Sequence, residues 1–498
     1  MKPACTACST RTVATALVLA TAALAGCMPA HREAPALARI TTPQAWTTPT
    51  GGNANANANA NANANANANA NANASLQAGG AMLQPQWWQS FGDATLSRHI
   101  EAARAYNTDL LAAGARLEAA LAQVALARSA IGPTLGGSVG VQAQRSLGAA
   151  GVGTSRTVQP GVQAAWEPDL WGRLRTQVSA AEFRLLASQA ERDAAALSIS
   201  AATAQTYIAL LALNAQLKVT QNTAASRAEA LRIAEDKARV GYISQLQVTQ
   251  AQSEYEAVLQ SLPQLQTAIA RQYNALRLLT GELPDTLPAE SARPDLFARL
   301  QLPPVPVALP SELLRRRPDL AQAESLLAAS DASLQASRAA FLPQVSLSAS
   351  LGSLYINALN YNPASVWSLG GSVLAPLFDQ GRLSAQYDQA AAQRDQAAFA
   401  YRGATLNAFG EVENALVGVD RLQEQLDRVV RRREVLQRSV NYAKDRYEAG
   451  YAPYLEQLDA QRNLYQTEIE VINVRQSQLV NQLNLYKALG GGWSAELL

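Results

Sequence analysis

Residues able to support catalysis or to bind a metal are few in this chain. His31 and His99 are the only histidines among 498 residues, so neither a histidine-based triad nor a histidine metal cluster can be assembled. Cys5 and Cys8 have the CxxC spacing of redox or metal pairs. The glycines at 490–492 lack the lysine and the following helix of a phosphate-binding loop. We therefore expect no enzymatic activity, no cofactor and no metal site.

Regularly spaced charges occur towards the C-terminal end instead. Glu456, Asp459 and Arg462 lie three residues apart, which places them on one face of a helix. If this face is exposed, an ion pair on it contributes less than about 1 kcal/mol to stability. If it lies at a constriction, the same charges can hold helices together. The spacing leaves both interpretations open.

The first 27 residues have the organisation of a secretion signal. Lys2 and Arg11 form a basic start, Val13 to Ala23 an apolar core, and Leu24-Ala25-Gly26-Cys27 a small-residue end. About 12 apolar residues are too few for a transmembrane anchor, which needs ~20. The segment resembles the lipobox of bacterial lipoproteins. That resemblance implies cleavage before Cys27, attachment of lipid such as palmitate to it, and, because Met28 follows, sorting to the outer membrane. The CxxC pair would leave with the signal peptide.

A low-complexity stretch follows the lipobox. Residues 28–92 are rich in Pro, Thr and Ala, and Asn53 to Ala74 is an uninterrupted Asn-Ala repeat. Such a repeat has no apolar face to bury, so we predict a disordered spacer between the lipid and the folded body. As a random coil the repeat would span about 25 Å, which would let the folded body move relative to the lipid anchor.

The remaining sequence contains an internal duplication. The segment from Asp109 to Pro133 is matched 210 positions later by Asp319 to Pro343, and the end of each copy repeats as well. One architecture is therefore used twice. The predicted domains are a lipoprotein signal peptide (1–26), a lipid anchor and spacer (27–92), a first repeat (93–283), a Pro-rich connection (284–310), a second repeat (311–493) and a tail (494–498).

Each copy contains two segments in which apolar and small polar residues alternate. They span 134–144, 157–166, 344–351 and 367–377, and their polar positions carry Ser, Gly and Gln. Period two predicts strands with one apolar face, and this length and polarity are typical of a transmembrane barrel with a wet lumen. Four strands cannot close a barrel, since bacterial barrels begin at about 8. We expect a trimer with 12 strands; the alternative is a small soluble sheet packed on helices.

Two proline-free runs, 173–238 and 382–448, predict very long helices of ~100 Å each. Their apolar, alanine-rich positions recur three and four apart, as in a coiled-coil seam. Each run ends at a glycine, Gly241 or Gly450, and the shorter stretches 244–281 and 319–340 would return antiparallel to them. The predicted fold is mainly α with a small membrane β part: an α-helical barrel of long coiled-coil helices plus a shared transmembrane β-barrel.

These features together resemble the outer-membrane factor family, the TolC-like channels of tripartite pumps, and in particular its lipid-anchored efflux branch. The resemblance covers about residues 85–493 and is most specific in LPSELLRRRPDL (309–320), YLEQLDAQRNLY (454–465) and NLYKALGGGW (484–493). It implies a homotrimeric channel in the outer membrane that extends into the periplasm. Such a channel is a passive exit duct for drugs or other small toxic compounds. Its implied partners are a periplasmic adaptor (membrane fusion) protein and an inner-membrane RND-type transporter.

The resemblance also implies roles for single residues. Asp459 and Arg462 fall in the family's LDAQR segment, where charge pairs hold a pore gate closed, and Glu456 shares their helix face. The first copy carries Gln247 and Gln250 at the equivalent place, so we expect no second charged ring there, which argues against a gate pairing that needs an acid from the other hairpin. The adaptor would dock on the hairpin tips, which comprise Gly241, Tyr242, Ile243, Ser244, Gly450, Tyr451, Ala452 and Pro453.

The arginines before Pro318 have a structural interpretation. Arg315 to Arg317 would cap the preceding short helix, because cations favour helix C-termini, and Asp319 would lie at the start of the next helix, where an anion is favoured. We expect this cluster to be a structural device rather than a ligand site.

Two other functions are compatible with these observations. The chain could form the exit channel of a protein secretion system, or a lipid-anchored periplasmic coiled-coil scaffold without a pore. A nucleic-acid partner is not indicated, because the net charge is only +2.

Overall fold

The computed structural model describes residues 29, 32–33, 35–39, 41–43, 45–47, 86–148, 151–285, 294–305, 310–356 and 363–493. The chain divides into two compact units, each assembled from several stretches of sequence. The first contains residues 115–189 and 322–403, and the second contains residues 190–321 and 404–498. The predicted lipidation residue Cys27, the Asn-Ala repeat and the tail 494–498 lie outside the described residues.

Most of the described residues are helical. The two long proline-free helices are confirmed almost to the residue, at Arg173–Arg239 and Arg382–Glu448, each of 67 residues. The helices are α1 (Ala94–Tyr106), α2 (Thr108–Ser129), α3 (Arg173–Arg239), α4 (Gln245–Leu279), α5 (Pro294–Arg299), α6 (Pro310–Arg316), α7 (Pro318–Ala339), α8 (Arg382–Glu448) and α9 (Tyr454–Ala488). Short 3₁₀ helices occupy Ala36–Ala38 and Trp87–Phe91.

One helix lies inside the segment predicted to be a Pro-rich connection. α5 begins at Pro294, and Asp295 follows in its first turn. Proline fits the first helical position because it needs no backbone hydrogen bond there, and an acid is favoured beside it. Phe297 and Leu300 are buried in the core of the second unit, which also contains Trp87, Ile208 and Leu479.

The four strands form one antiparallel sheet in the order β1-β2-β3-β4, within the first unit. They are β1 (Thr134–Gly148), β2 (Gly151–Trp166), β3 (Gln344–Ile356) and β4 (Ala364–Leu374). The predicted alternation is confirmed, because apolar residues pair across strands on one face: Val141 with Val158, Val162 with Leu351, and Leu351 with Trp367. β4 ends before the predicted residue 377, since Pro376 has no N–H to donate to a ladder.

The apolar face of this sheet is open. Leu135, Val141, Trp367 and Leu369 have 75–79% of their surface exposed. A soluble sheet would bury this face against a second layer. The exposure of this apolar face therefore argues against the alternative of a small soluble sheet packed on helices.

Both long helices end in a left-handed glycine, as predicted. Gly241 has φ 80° and Gly450 has φ 79°. The next residue's N–H reaches back to the carbonyl five residues earlier, from Tyr242 to Lys237 at 2.9 Å and from Tyr451 to Arg446 at 2.8 Å. This is the 6→1 bond of a Schellman motif, which requires a residue that tolerates positive φ. The two hairpin tips therefore share one geometry.

The sequence repeat has a physical counterpart at the end of each returning helix. Asn107 donates from Nδ2 to the carbonyl of Leu279, at 3.0 Å, and Arg317, 210 positions later, donates from Nη1 to the carbonyl of Ala488, also at 3.0 Å. Both side chains are buried, with 4% and 6% exposure. Each side chain thus satisfies a carbonyl at the C-terminal end of α4 or α9 that has no hydrogen-bond donor within its own helix.

Arg317 differs from the prediction made for the arginine cluster. Its guanidinium caps α9 rather than the short helix α6 that precedes it, and it forms ion pairs at 2.7 Å with Asp319 and Glu411. A buried guanidinium needs several acceptors. Only the tertiary fold brings Asp319, Glu411 and the carbonyl of Ala488 together around it. The structural interpretation of the cluster therefore holds with a different partner.

The same junctions explain the glycines of the NLYKALGGGW segment. Gly490 has φ 91°, and a side chain there would overlap the carbonyl oxygen of Arg316. Gly281 occupies the equivalent place in the first repeat, against the backbone of Tyr106. Two of the three most specific sequence segments, LPSELLRRRPDL and NLYKALGGGW, thus pack against each other.

Part of the predicted spacer makes contacts. Within the first unit, Arg32 pairs with Asp395 at 3.1 Å. Within the second unit, the ring of Trp46 packs on Phe409 with centroids 5.9 Å apart. Trp46 supplies apolar surface that the neighbouring low-complexity sequence lacks, which is why this stretch departs from the expectation of a contact-free spacer.

Candidate functional site

The hairpin tips of the second unit are held by a small apolar core. Ala234 on α3, Val248 and Ala251 on α4, and Tyr454 and Leu458 on α9 are buried against one another. They recur at the helical spacings that put apolar residues on one face. This core fixes the first turns after each tip, where the predicted gate residues begin.

A charge network lies along the helices just beyond this core. Arg462 on α9 donates from Nη2 to the carboxylate of Glu254 on α4, and its Nη1 lies 3.4 Å from Oδ1 of Asp459. The Glu254 side chain is only 12% exposed, whereas that of Asp459 is 58% exposed. Arg462 therefore joins two different hairpins through the more buried of its two acids.

A second arginine stands beside the same carboxylate. Arg227 on α3 is 3% exposed and donates to Oε1 of Gln461 at 2.6 Å. The hydrogen bond from Arg462 lowers the pKa of Glu254 from its ordinary value of 4.5, and the positive charges of Arg462 and Arg227 act in the same direction. Glu254 is therefore ionised at neutral pH, and both arginines stabilise its charge.

The expectation that no acid from the first hairpin would take part is wrong. Glu254 lies four residues beyond Gln250, one helical turn further from the tip and on the same face. Equivalent positions in the two repeats do not identify Glu254, because an arginine side chain can reach an acid one full helical turn away. An acid one turn beyond the equivalent position is the sequence signal for this contact. Arg227 carries no comparable signal, since a single arginine in a long helix has no distinctive spacing.

The structure also divides the predicted triplet. Asp459 and Arg462 are in contact, but Glu456 pairs instead with Arg446 on α8, with Nε and Oε1 3.4 Å apart. Both partners of this second pair are more than 40% exposed. Glu456 thus links the two arms of one hairpin and does not reach Arg462's network.

The tip residues predicted to meet an adaptor are mostly exposed. Tyr242 and Tyr451 have 83% and 81% of their surface exposed, and they occupy the same position in the two tips. Gly241, Ser244, Gly450 and Pro453 are exposed as well, whereas Ile243 and Ala452 are half-buried. Each tip presents an aromatic ring with a polar hydroxyl, a surface suited to protein contacts. Adaptor docking itself stays a prediction.

Comparisons with known proteins place the chain in a family. Residues 99–282 and 309–491 match the family profile described as outer membrane efflux protein. The pyoverdine export outer membrane protein OpmQ of Pseudomonas aeruginosa is 34% identical over 82% of this chain and 88% of its own. The probable efflux pump outer membrane protein TtgC of Pseudomonas putida is 33% identical over 83% of this chain and 86% of its own.

A solved structure agrees with the sequence relatives. The outer-membrane channel OprN superposes with a TM-score of 0.78 and 29% identity, covering 83% of this chain and 94% of OprN. The chain therefore belongs to the outer membrane efflux protein family and is an outer-membrane efflux channel protein.

Proposed function

We propose that three copies of this chain share one 12-stranded transmembrane barrel and act together as a passive exit duct. The open sheet carries this proposal. Within the described residues, β1 and β4 each pair along one side only, and the apolar face between them is exposed. A sheet in lipid must have no free edge, because unpaired backbone groups are costly there. Neighbouring subunits supply the missing strands.

An exposed apolar groove in the first unit supports the same assembly. Leu121 on α2 is 52% exposed and Leu186 on α3 is 42% exposed, and both line this groove together with Leu185. Clustered leucines of this kind favour burial against another protein surface. A second copy of the chain is the partner that closes the barrel and covers them together.

The lipid anchor is proposed at Cys27, in the outer membrane. It is supported by the Leu-Ala-Gly-Cys sequence and by the contact of Arg32 with Asp395, which ties the chain down soon after the anchor. Met28 after the cysteine favours retention in the outer membrane rather than the inner one. The folded body would extend from there into the periplasm.

The pore gate is proposed at the tips, where Arg462 joins Glu254 of the first hairpin to Asp459 of the second. Three copies of this network around an axis would hold the tips together, and breaking the ion pairs would favour opening. Glu456 with Arg446 contributes a second, more exposed link. Docking of a periplasmic adaptor protein on Tyr242 and Tyr451 would bring an inner-membrane RND-type transporter into line with the duct.

The cargo is proposed to be small toxic compounds, with the energy supplied by the transporter. The names of OpmQ and TtgC support export and efflux for those relatives. Within the described residues no group of three or more His, Cys, Asp or Glu could hold a metal ion. A duct needs no such group, because it only guides a compound that a partner has moved.

The test combines assembly, conduction and anchoring. Protein purified in mild detergent should run as a heat-modifiable trimer and conduct ions in a planar bilayer, and deletion of the gene should sensitise cells to small toxic compounds while protein secretion continues. The Cys27→Ser variant should take up no labelled palmitate. A monomer that passes no current would overturn the channel assembly, and lost secretion with unchanged drug sensitivity would overturn the cargo.

A further inference from the structure

An open polar cavity lies in the first unit, where the long helices α3 and α8 begin. Its volume is about 820 Å³, which is within the range of pockets that hold drug-sized ligands. The helices α2, α3, α7 and α8 all contribute to its wall, and β3 and β4 contribute one residue each, Gln344 and Leu374. The cavity is therefore built wholly within one compact unit.

The two strand residues show which side of the sheet the cavity faces. Gln344 and Leu374 are paired across β3 and β4, and directly paired residues point to the same face. Because alternate residues share a face, Gln344 lies with Ser346 and Ser348 and opposite to Leu351. The cavity therefore lies on the polar face of the sheet, which is the face that the proposed barrel turns towards its lumen.

The lining is rich in basic and amide side chains, and no acidic side chain is among the described residues that form it. Three arginines line the cavity, Arg173 and Arg184 on α3 and Arg382 on α8. The amides are Gln123, Gln177, Gln344, Gln386, Gln389 and Gln393. Arginine is permanently charged and offers only hydrogen-bond donors, whereas an amide offers two donors and an acceptor. The wall therefore favours a ligand that supplies acceptors and negative charge.

The two repeats supply the same pair of side chains to this wall. Arg173 and Gln177 in the first repeat correspond to Arg382 and Gln386 in the second. In each helix the two residues are one turn apart, so they share a face. The equivalent starts of α3 and α8 thus each contribute a guanidinium and an amide to one cavity.

Two carboxylates pair with these arginines from outside the lining. Glu167 accepts from Nη2 of Arg173 at 2.7 Å, and Asp379 lies 3.8 Å from Nη2 of Arg382. Asp379 also accepts the backbone N–H of Leu383 at 2.9 Å, at the start of α8. Since a guanidinium has five N–H donors, each acid satisfies only part of its arginine.

Two of the arginines keep donors available for a ligand. Nε of Arg173 is buried and finds no acceptor among the described residues. Arg184 donates from Nη2 to Oγ of Ser333 at 3.0 Å, so its hydrogen-bond partner is a neutral hydroxyl rather than a carboxylate. A buried donor without an acceptor is unfavourable, and a ligand that supplies the acceptor is stabilised there.

We propose that this cavity binds organic anions, such as compounds that carry a carboxylate, on their way along the lumen. The inference rests on the exit duct proposed above and names a class of cargo for it. Guanidinium groups bind carboxylates through two parallel N–H···O bonds, and the glutamine amides add hydrogen bonds to the rest of the compound. A trimer would carry three such cavities around one lumen.

The test uses purified protein in mild detergent and two dyes with the same three-ring skeleton. Carboxyfluorescein is an anion at neutral pH, whereas tetramethylrhodamine methyl ester is a cation, and binding is followed by fluorescence anisotropy. The parent protein should bind carboxyfluorescein more tightly than the cationic dye. A hydrogen bond to a charged group corresponds to roughly tenfold to a hundredfold in affinity, so Arg184→Gln should weaken the binding of carboxyfluorescein by at least about tenfold. Arg184→Lys should keep part of the affinity, because its charge remains while the bidentate geometry is lost.

Arg192→Gln is the matched control. Arg192 lies further along α3, pairs with its neighbour Asp193 at 2.8 Å and is not part of the lining. The substitution removes the same charge from the same helix and should leave the affinity unchanged. Equal binding of the two dyes would overturn the preference for anions, and equal affinities of the parent and Arg184→Gln for carboxyfluorescein would overturn the site.

Failure of the channel proposal would give a different result. Trimer formation and bilayer conductance are measured on the same samples, and Arg184→Gln should retain both. A parent protein that conducts ions but binds neither dye would refute the anion site and leave the channel proposal standing. A parent protein that binds carboxyfluorescein but passes no current would refute the channel while the site remains.

Discussion

Of the charged residues in the proposed gate, Glu254 is the one whose substitution should change the open-channel probability most. The substitution Glu254→Gln keeps the shape of the side chain and removes the charge that binds Arg462. The expected result is a larger increase in open-channel probability than that caused by Asp459→Asn. This order follows from the geometry, because Arg462 contacts Asp459 only at 3.4 Å and through a side chain that is 58% exposed.

The magnitude follows from burial. Exposed ion pairs contribute about 0.2–1 kcal/mol, and breaking a buried pair costs about 3–5 kcal/mol. Arg462 is 47% and Glu254 12% exposed, so about 2 kcal/mol per subunit is reasonable for this pair. Three tips opening together would lose about 6 kcal/mol, a shift of roughly 10⁴ in the equilibrium between closed and open states. Asp459→Asn should cost about 0.5 kcal/mol per subunit, or about tenfold in total.

The assay is single-channel recording of purified trimers in a planar bilayer at neutral pH, supported by uptake of a large antibiotic in whole cells. Glu256→Gln is the matched control, because Glu256 is exposed and lies two residues away on another face of α4. It removes the same charge from the same helix and should leave the open probability unchanged. Trimer yield is compared for all variants, so that a folding defect is recognised.

Two outcomes would refute this reasoning. If Glu254→Gln and Glu256→Gln behaved alike, the ion pair between the hairpins would not hold the tips closed. If Asp459→Asn opened the channel more than Glu254→Gln, the exposed pair would be the stronger one, contrary to the burial argument.

Three further predictions concern pH and the helix ends. Because the pKa of Glu254 is lowered below 4.5, its stabilisation of the closed tip is complete above about pH 4.5 and is lost as the pH falls through the lowered value; conductance should rise on acidification in the parent but change little in Glu254→Gln, and a parent without this acid response would contradict the prediction. Arg317→Met leaves Glu411 and the carbonyl of Ala488 without a cation, so the free energy of unfolding, measured by urea denaturation of the trimer, should fall by about 3–5 kcal/mol per subunit. A loss no larger than that of the exposed Arg315→Met would count against this prediction. Gly490→Ala should reduce trimer yield because its side chain overlaps the Arg316 carbonyl, whereas Gly403→Ala, on an open helix face, should be tolerated.

Local signals determined much of the fold. Absence of proline over 67 residues, alanine-rich periodicity and a terminal glycine are read within one helix, which is why the bounds of α3 and α8 were predicted almost to the residue. Alternation likewise belongs to a single strand, so the apolar face of the sheet was predictable. The strand ends were less so, because they depend on pairing, as at Pro376 and in the extended β1–β2 hairpin.

The sequence by itself determined the repeat, the element types, the apolar sheet face and the tip glycines, because each depends on residues close together in the chain. Only the tertiary structure decided that Arg462 pairs with Glu254, that Glu456 pairs with Arg446, and that Arg317 caps α9. These contacts join residues from 10 to 208 positions apart. Periodicity can place a side chain on a face, but the packing of one helix against another selects its partner.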